Sequence, residues 1–423
     1  MRIPVSENKL VELGRIVTGR PKSLFEEDYQ KSSARLREAF EGKRILVVGA
    51  AGSIGSSTVR CLLEWSPKET FLVDTAENNL VELLREIRSD AALSDANLTI
   101  QPIDFGSPMM ERVLRNHSRF DWIFNFAAVK HVRSERDVPS LLQMMDTNLI
   151  KADRFLGWVR SHGHGQDGVF FVSSDKAANP ANIMGATKRV MELLLFWHGS
   201  PESQGLTLAG APCFGPPLRS TTARFANVAF SDGSLLLGFL NRISKNQPLA
   251  GPSNIRRYFV TLEEAGQICC LAAALPKSGE ILVPRLSPET DLRDFKGIAS
   301  LVLSHYGYTP RWCESEAEAR SAGLSPSEWP CYFAPANTMG EKEFEEFVAK
   351  NETTREIGLT ALQVVNAQRH SMYGDLEMVI QTLDRWKSNA TEDLEKNAIL
   401  RCLQRVVGSM DHVDSRLSLD QRM

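Results

Sequence analysis

Apolar and polar positions along this chain follow two alternating periods. RILVVG, from Arg44 to Gly49, is a short apolar run closed by glycine, the pattern of a strand buried on both faces. A helical stretch over 53–65 follows, then ETFLVD as a second strand and NNLVELLREIRSD as an amphipathic helix. LTIQPID (strand), PMMERVLRNH (helix), DWIFNFAA (strand), a helical region over 140–161, GVFFVSS (strand) and MGATKRVMELLLFW (helix) continue the series. Repeated strand–helix alternation predicts an α/β fold, a doubly wound parallel sheet of Rossmann type with right-handed crossovers.

The pattern weakens after Trp197. Residues 199–219 are rich in Gly, Pro and Ser and read as a long loop. STTARFANVAF predicts the next strand, 234–245 a helix, and Thr261-Leu-Glu-Glu264 a capping box that opens another helix. GEILVP reads as a strand and 292–306 as a helix. Four parts result: an N-terminal helical arm over 1–41, a Rossmann domain over 42–233, a smaller α/β substrate-binding part over 234–312, and a mainly helical C-terminal extension over 313–423.

Composition narrows the function classes. The 423 residues are 43% hydrophobic and 24% charged, with 49 basic against 52 acidic side chains. That balance argues against nucleic acid as a partner, which calls for a strongly basic face. The longest apolar run, Ile268 to Leu275, falls far short of the roughly 20 residues of a membrane span. Seven cysteines, an odd number with no CxxC, read as reduced core thiols of a cytoplasmic protein, and no metal site is expected. His162 and His164 flank Gly163 in a Ser/Gly-rich stretch and read as loop residues rather than ligands.

Two constellations carry chemistry. Gly49-Ala-Ala-Gly52-Ser53-Ile54-Gly55 follows a strand and opens a helix, the context of a dinucleotide-binding loop whose glycines admit a pyrophosphate to a helix N-terminus. Asp74 ends the second strand, where a carboxylate would hold a ribose 2′-hydroxyl and repel a 2′-phosphate, favouring NAD over NADP. Asp104, at the end of the third strand, reads either as a carboxylate that reaches the adenine or as a plain loop carboxylate. The second constellation is Ser173-Ser174-Asp175-Lys176-Ala177 at a strand end, followed by Met184-Gly185-Ala186-Thr187-Lys188 at a helix start. Carboxyl ends of strands face the ligand crevice of such a sheet, so two lysines, a carboxylate and a hydroxyl gather there.

These residues resemble the extended short-chain dehydrogenase/reductases. Within them, SSDKAANPANIMGATKRVME is similar to the corresponding stretch of the UDP-N-acetylglucosamine 4,6-dehydratases, as are Lys130-His131-Val132, ARFANV at 223–228 and RRYFVT at 256–261. The resemblance covers about residues 43–310 and extends to the soluble legionaminic-acid-type dehydratases, which also carry extra terminal segments. It implies bound NAD, with Ala127 and Ala128 also at the cofactor, and a nucleotide-sugar substrate held by Lys130, His131, Asn227 and Arg257. It further implies that Ser174 bonds the C4 oxygen, Lys176 removes the C5 proton, Asp175 protonates the leaving C6 hydroxyl, and Lys188 binds the nicotinamide ribose. The family's usual homo-oligomeric state is implied too. One departure stands out: Met184 occupies the position where most of the superfamily has tyrosine, and a thioether cannot accept a hydroxyl proton. A nucleotide-sugar epimerase or ketoreductase, or a non-catalytic NAD-binding protein, remains open as an alternative.

Overall fold

The computed structural model describes residues 7–130, 135–323, 325–335, 344–366, 373–389, 393–408 and 410. Seven parallel strands form the heart of the sheet: β1 Arg44–Val48, β2 Glu69–Val73, β3 Leu98–Gln101, β4 Trp122–Asn125, β5 Gly168–Val172, β6 Ser220–Ala223 and β7 Glu280–Pro284. They lie in the order β3-β2-β1-β4-β5-β6-β7. The order reverses between β1 and β4, and the carboxyl ends on either side of that point open the crevice of a doubly wound sheet. β1, β2, β4 and β5 are buried almost throughout, as their unbroken apolar runs require.

The sheet extends beyond what the hydrophobic pattern suggested. β8 (Thr353–Arg355) and β9 (Leu362–Asn366) come from the C-terminal part, and β9 runs antiparallel to β7, pairing Ile281 with Val365 and Leu282 with Val364. Arg355 fastens this edge by bonding both carboxylate oxygens of Glu280 at 2.8 Å. The remainder of the C-terminal part includes helices Tyr373–Ser388 and Lys396–Val407, which bury Val379, Leu383 and Leu403 in the main core. Both pack on helix Ile183–His198, every residue of which is buried.

Helices Glu7–Thr18, Glu26–Lys31 and Ser33–Phe40 precede β1. Buried Asp28 anchors them to the turn before β9, accepting bonds from the Thr360 and Ala361 amides at 2.7 and 2.8 Å. Arg20 reaches Glu264 at 2.6 Å, and Glu264 also completes the capping box on Thr261. A second core gathers helices Leu235–Ser244 and Phe295–His305 over a small sheet formed by Leu249–Pro252, Thr309–Trp312 and Glu328–Ala334. Among the described residues, no helix is long and apolar enough to cross a membrane.

The 199–219 stretch is ordered around buried polar anchors. Arg160 donates to the carbonyls of Ser203, Gly215 and Pro216, and Asp153 accepts from the Leu208 and Ala209 amides and pairs with His198 at 2.9 Å. Arg160 and His198 end helices that run back from the crevice, so this loop lies at the far end of the sheet from the site. His164 is a buried structural histidine: the Phe120 amide donates to Nδ1, leaving Nε2–H to donate to the Leu114 carbonyl.

Candidate active site

A cleft of about 650 Å³ opens at the carboxyl ends of the strands. One end is the glycine loop. Gly49 takes φ +70°, and a Cβ there would stand 2.6 Å from the Ala127 nitrogen; a Cβ at Gly55 would overlap the Gly49 carbonyl. Both glycines are therefore demanded by the protein's own packing. Gly52 is different, since a Cβ there would meet only the Gly49 oxygen at an ordinary 3.5 Å. What a side chain at 52 would obstruct is the cleft that Gly52 lines. Helix Ser53–Leu63 starts here, and Ser53 Oγ accepts the Asp232 amide at 2.8 Å. Asp74 holds the loop from the side, accepting from the Ala51 amide at 3.1 Å and the Ala76 amide at 3.0 Å. Bare backbone at a helix N-terminus beside a strand-end carboxylate is a cradle that fits a dinucleotide pyrophosphate and ribose. Asp104 accepts from the Gly106 amide and from Lys151, and both Asp104 and Lys151 line the cleft.

The other end is built on β4 and β5. Asn125 accepts the Ala127 amide at 3.0 Å. Asn148 grips Val129 by both its amide and its carbonyl, at 2.8 and 3.0 Å, and also donates to Thr187. It does so from a π-helical turn, Asp146–Ile150, an element often found at functional sites. After β5, Ser173 Oγ donates to Glu192 at 2.6 Å. Ser174 Oγ is buried with no hydrogen-bond partner, and so is Asp175 Oδ2, while Asp175 Oδ1 receives Lys176 Nζ at 2.9 Å. Buried polar atoms left unsatisfied inside a cleft are costly and mark a place prepared for a ligand.

Burial and the nearby charge of Lys130 pull the Lys188 ammonium from its ordinary value down to about 8, with Glu192 opposing. Lys188 Nζ donates to the Val172 carbonyl at 3.0 Å. Burial lowers Lys130 as well, against the opposing charge of Asp232. Met184 is buried on the cleft wall, and its amide donates to Glu135, which also takes the Ile183 amide. Burial raises the Glu135 carboxyl despite those two bonds. Glu135 thus caps the helix that carries Lys188.

The cleft brings together Gly49, Gly52, Ser53, Ile54, Gly55, Asp74, Asp104, Ala127, Ala128, Lys130, Ser174, Asp175, Lys176, Met184, Lys188 and Asn227. His131 lies outside the described residues. Arg257 is not brought into the lining: it is buried on strand Arg256–Val260, where Phe259 is the residue paired with Asn227, two positions further along. The sequence reading missed Asn148, Glu135, Glu192 and Lys151. Asn148 had only a polar position inside an apolar helix as its signal, and Glu192 only a carboxylate four residues after Lys188.

A sequence profile of the family described as "Polysaccharide biosynthesis protein" matches residues 45–366. The chain belongs to that family. This places it among the extended short-chain dehydrogenase/reductases. Polysaccharide biosynthesis relatives include the probable EpsC of Bacillus subtilis, 27% identical over 327 residues, covering 77% of this chain and 48% of that protein. The chain also spans only 47% of the capsular polysaccharide biosynthesis protein CapD of Staphylococcus aureus, so it matches about half the length of these relatives. A UDP-N-acetylglucosamine 4,6-dehydratase (inverting) of Campylobacter jejuni is 24% identical over 273 residues, covering 63% of this chain and 73% of its own. A UDP-glucose 4-epimerase of Rickettsia felis is 23% identical over 262 residues, covering 59% of this chain and 68% of its own. Among solved structures, Pen from Bacillus thuringiensis superposes with a TM-score of 0.61 at 20% identity, over 81% of this chain and 99% of that one. DesIV from Streptomyces venezuelae, a dTDP-glucose 4,6-dehydratase solved with NAD bound, does so with 0.54 at 19%, over 82% and 97%. These two share the fold.

Proposed function

We propose that this polysaccharide biosynthesis protein is an NAD-dependent nucleotide-sugar 4,6-dehydratase, converting a UDP-N-acetylglucosamine-like substrate to its 4-keto-6-deoxy form. The observation that carries the reading is the Asp175–Lys176 pair in the cleft, with Asp175 Oδ2 and Ser174 Oγ both buried and unpartnered. An epimerase or ketoreductase on the same scaffold has no use for an acid and a base side by side, because it eliminates nothing.

The glycine loop and Asp74 would hold the dinucleotide, and Lys188 its nicotinamide ribose. NAD bound there would supply reversible oxidation at C4 and final reduction at C6. Ser174 Oγ donates to the C4 oxygen and orients it. Once C4 is a ketone, the C5 proton is acidified and a neutral amine can remove it. Lys176 and Asp175 are in contact at 2.9 Å, so one proton shift along that bond turns ammonium and carboxylate into amine and carboxylic acid. Those are the forms the elimination requires: Lys176 takes the C5 proton and Asp175 gives one to the departing C6 hydroxyl. Met184 offers no proton acceptor, so the proton that O4 loses as hydride leaves C4 passes by way of Ser174 Oγ to water, while the cationic Lys188 stabilises negative charge developing at O4. Lys176 returns its proton to C5 as C6 is reduced and is reprotonated from water.

The test separates oxidation from elimination. Lys176→Ala should still show NADH absorbance on mixing with substrate but should lose C5 exchange with deuterated solvent, with dehydration falling by about 10²-fold or more. Lys188→Ala should suppress both steps. Near-normal dehydration by the Lys176 variant would refute these roles.

A further inference from the structure

Behind the serine loop lies a closed ionic cluster that reaches into the C-terminal part. Arg224, at the end of β6, bonds both oxygens of Glu192 at 2.8 and 2.7 Å and both oxygens of Glu352 at 2.6 and 2.8 Å. Arg189 bridges the same two carboxylates at 3.0 and 2.8 Å. Two cations and two anions balance, all are buried, and burial's upward pull on the Glu352 carboxyl is outweighed by Arg224 and Arg189, which hold it below its ordinary value. Removing one member of such a cluster would leave an uncompensated buried charge.

The cluster ends on the site. Glu192 takes the Ser173 hydroxyl at 2.6 Å. In extended backbone, neighbouring side chains point to opposite sides, and Ser174 has extended φ and ψ of −150° and 166°. Ser173 and Ser174 both line the cleft, and holding the Ser173 hydroxyl on Glu192 fixes the strand-end backbone from which Ser174 projects on its own side. At the distal end, Glu352 also accepts the Ala349 amide, and Glu346 in the same segment receives Asn179, four residues past Asp175. We propose that Glu352 is a positioning residue: acting through Arg224 and Glu192 on Ser173, it sets the orientation of Ser174 and Asp175, so the active site is complete only when residues 344–352 are docked. The proposal rests on the dehydratase reading for which steps it serves, while its coupling can be measured independently of the product.

The test uses the full chain with its bound nucleotide, in Ser173→Ala, Glu352→Gln and the double variant. Amide hydrogen exchange should quicken in the peptide holding residues 173–176 in Glu352→Gln, while helix Leu262–Ala274 keeps its wild-type protection. Each single variant should lose about tenfold or more in kcat, with KM for the nucleotide sugar within about twofold of wild type. The double variant should be no slower than the slower single, because the two residues act in one chain of contacts. If Glu352→Gln does not fold, Glu352→Asp, which keeps the charge and shortens its reach, takes its place. Unchanged exchange at 173–176, a uniform rise across the protein, or losses that multiply in the double variant would each overturn the proposal. A wild-type product that has lost no water would sink the dehydratase reading alone, since the exchange result still decides the coupling.

Discussion

Lys130 and Lys188 line one cleft, and after burial it is the charge of Lys130 that holds the Lys188 amine down to about 8. Lys188 therefore sheds its proton just above neutrality rather than near its ordinary 10.5. In the proposed mechanism its positive charge is needed, so turnover should fall as pH rises through about 8. Lys130→Met removes the repulsion and leaves the burial. The alkaline limb of the kcat profile should then move to higher pH, even if overall activity drops. A limb that stays in place or moves down would show that Lys188 does not set it.

The glycine loop separates folding from binding. Gly52→Ala should melt with the wild type, because the protein leaves a Cβ there an ordinary contact, yet it should retain far less nucleotide. Gly49→Ala should melt lower, since φ +70° alone costs a residue with a side chain about 1–2 kcal/mol, before its clash with Ala127. The wild-type protein should release NAD(H) on denaturation, because in the proposed reading Asp74 would hold a ribose 2′-hydroxyl and repel a 2′-phosphate. Thermal melts together with analysis of the released nucleotide check both expectations; NADP(H) alone in that release would contradict the role of Asp74.

Much of the site was legible because its residues are neighbours in sequence. Gly49 to Gly55 declare a turn, Asp74 closes the next strand, and Ser174, Asp175 and Lys176 are consecutive at a strand end. The alternation of periods announced the doubly wound parallel sheet, while the order of its strands came from the structure. What stayed hidden depends on distance along the chain. Glu352 is 128 residues from Arg224 and lies in a charged stretch that reads as a solvated face, so nothing local marks it as buried. β8 and β9 are only three and five residues long, and they become strands only because β7 offers an edge to pair with. The glycine- and proline-rich 199–219 stretch looked like a free loop, yet Arg160 and Asp153 hold it from a preceding helix. Arg257, which the resemblance implies at the substrate, is buried on strand Arg256–Val260 and is not among the residues lining the cleft.

The central claim is loss of water from a nucleotide sugar. The most direct measurement incubates the purified protein, with the nucleotide it carries, with UDP-N-acetylglucosamine and follows the sugar nucleotide by mass spectrometry. A product lighter by one water, bearing a ketone at C4 and a methyl group at C6, is the expected result. A product of unchanged mass with inverted C4 would contradict it and assign the chain to epimerisation.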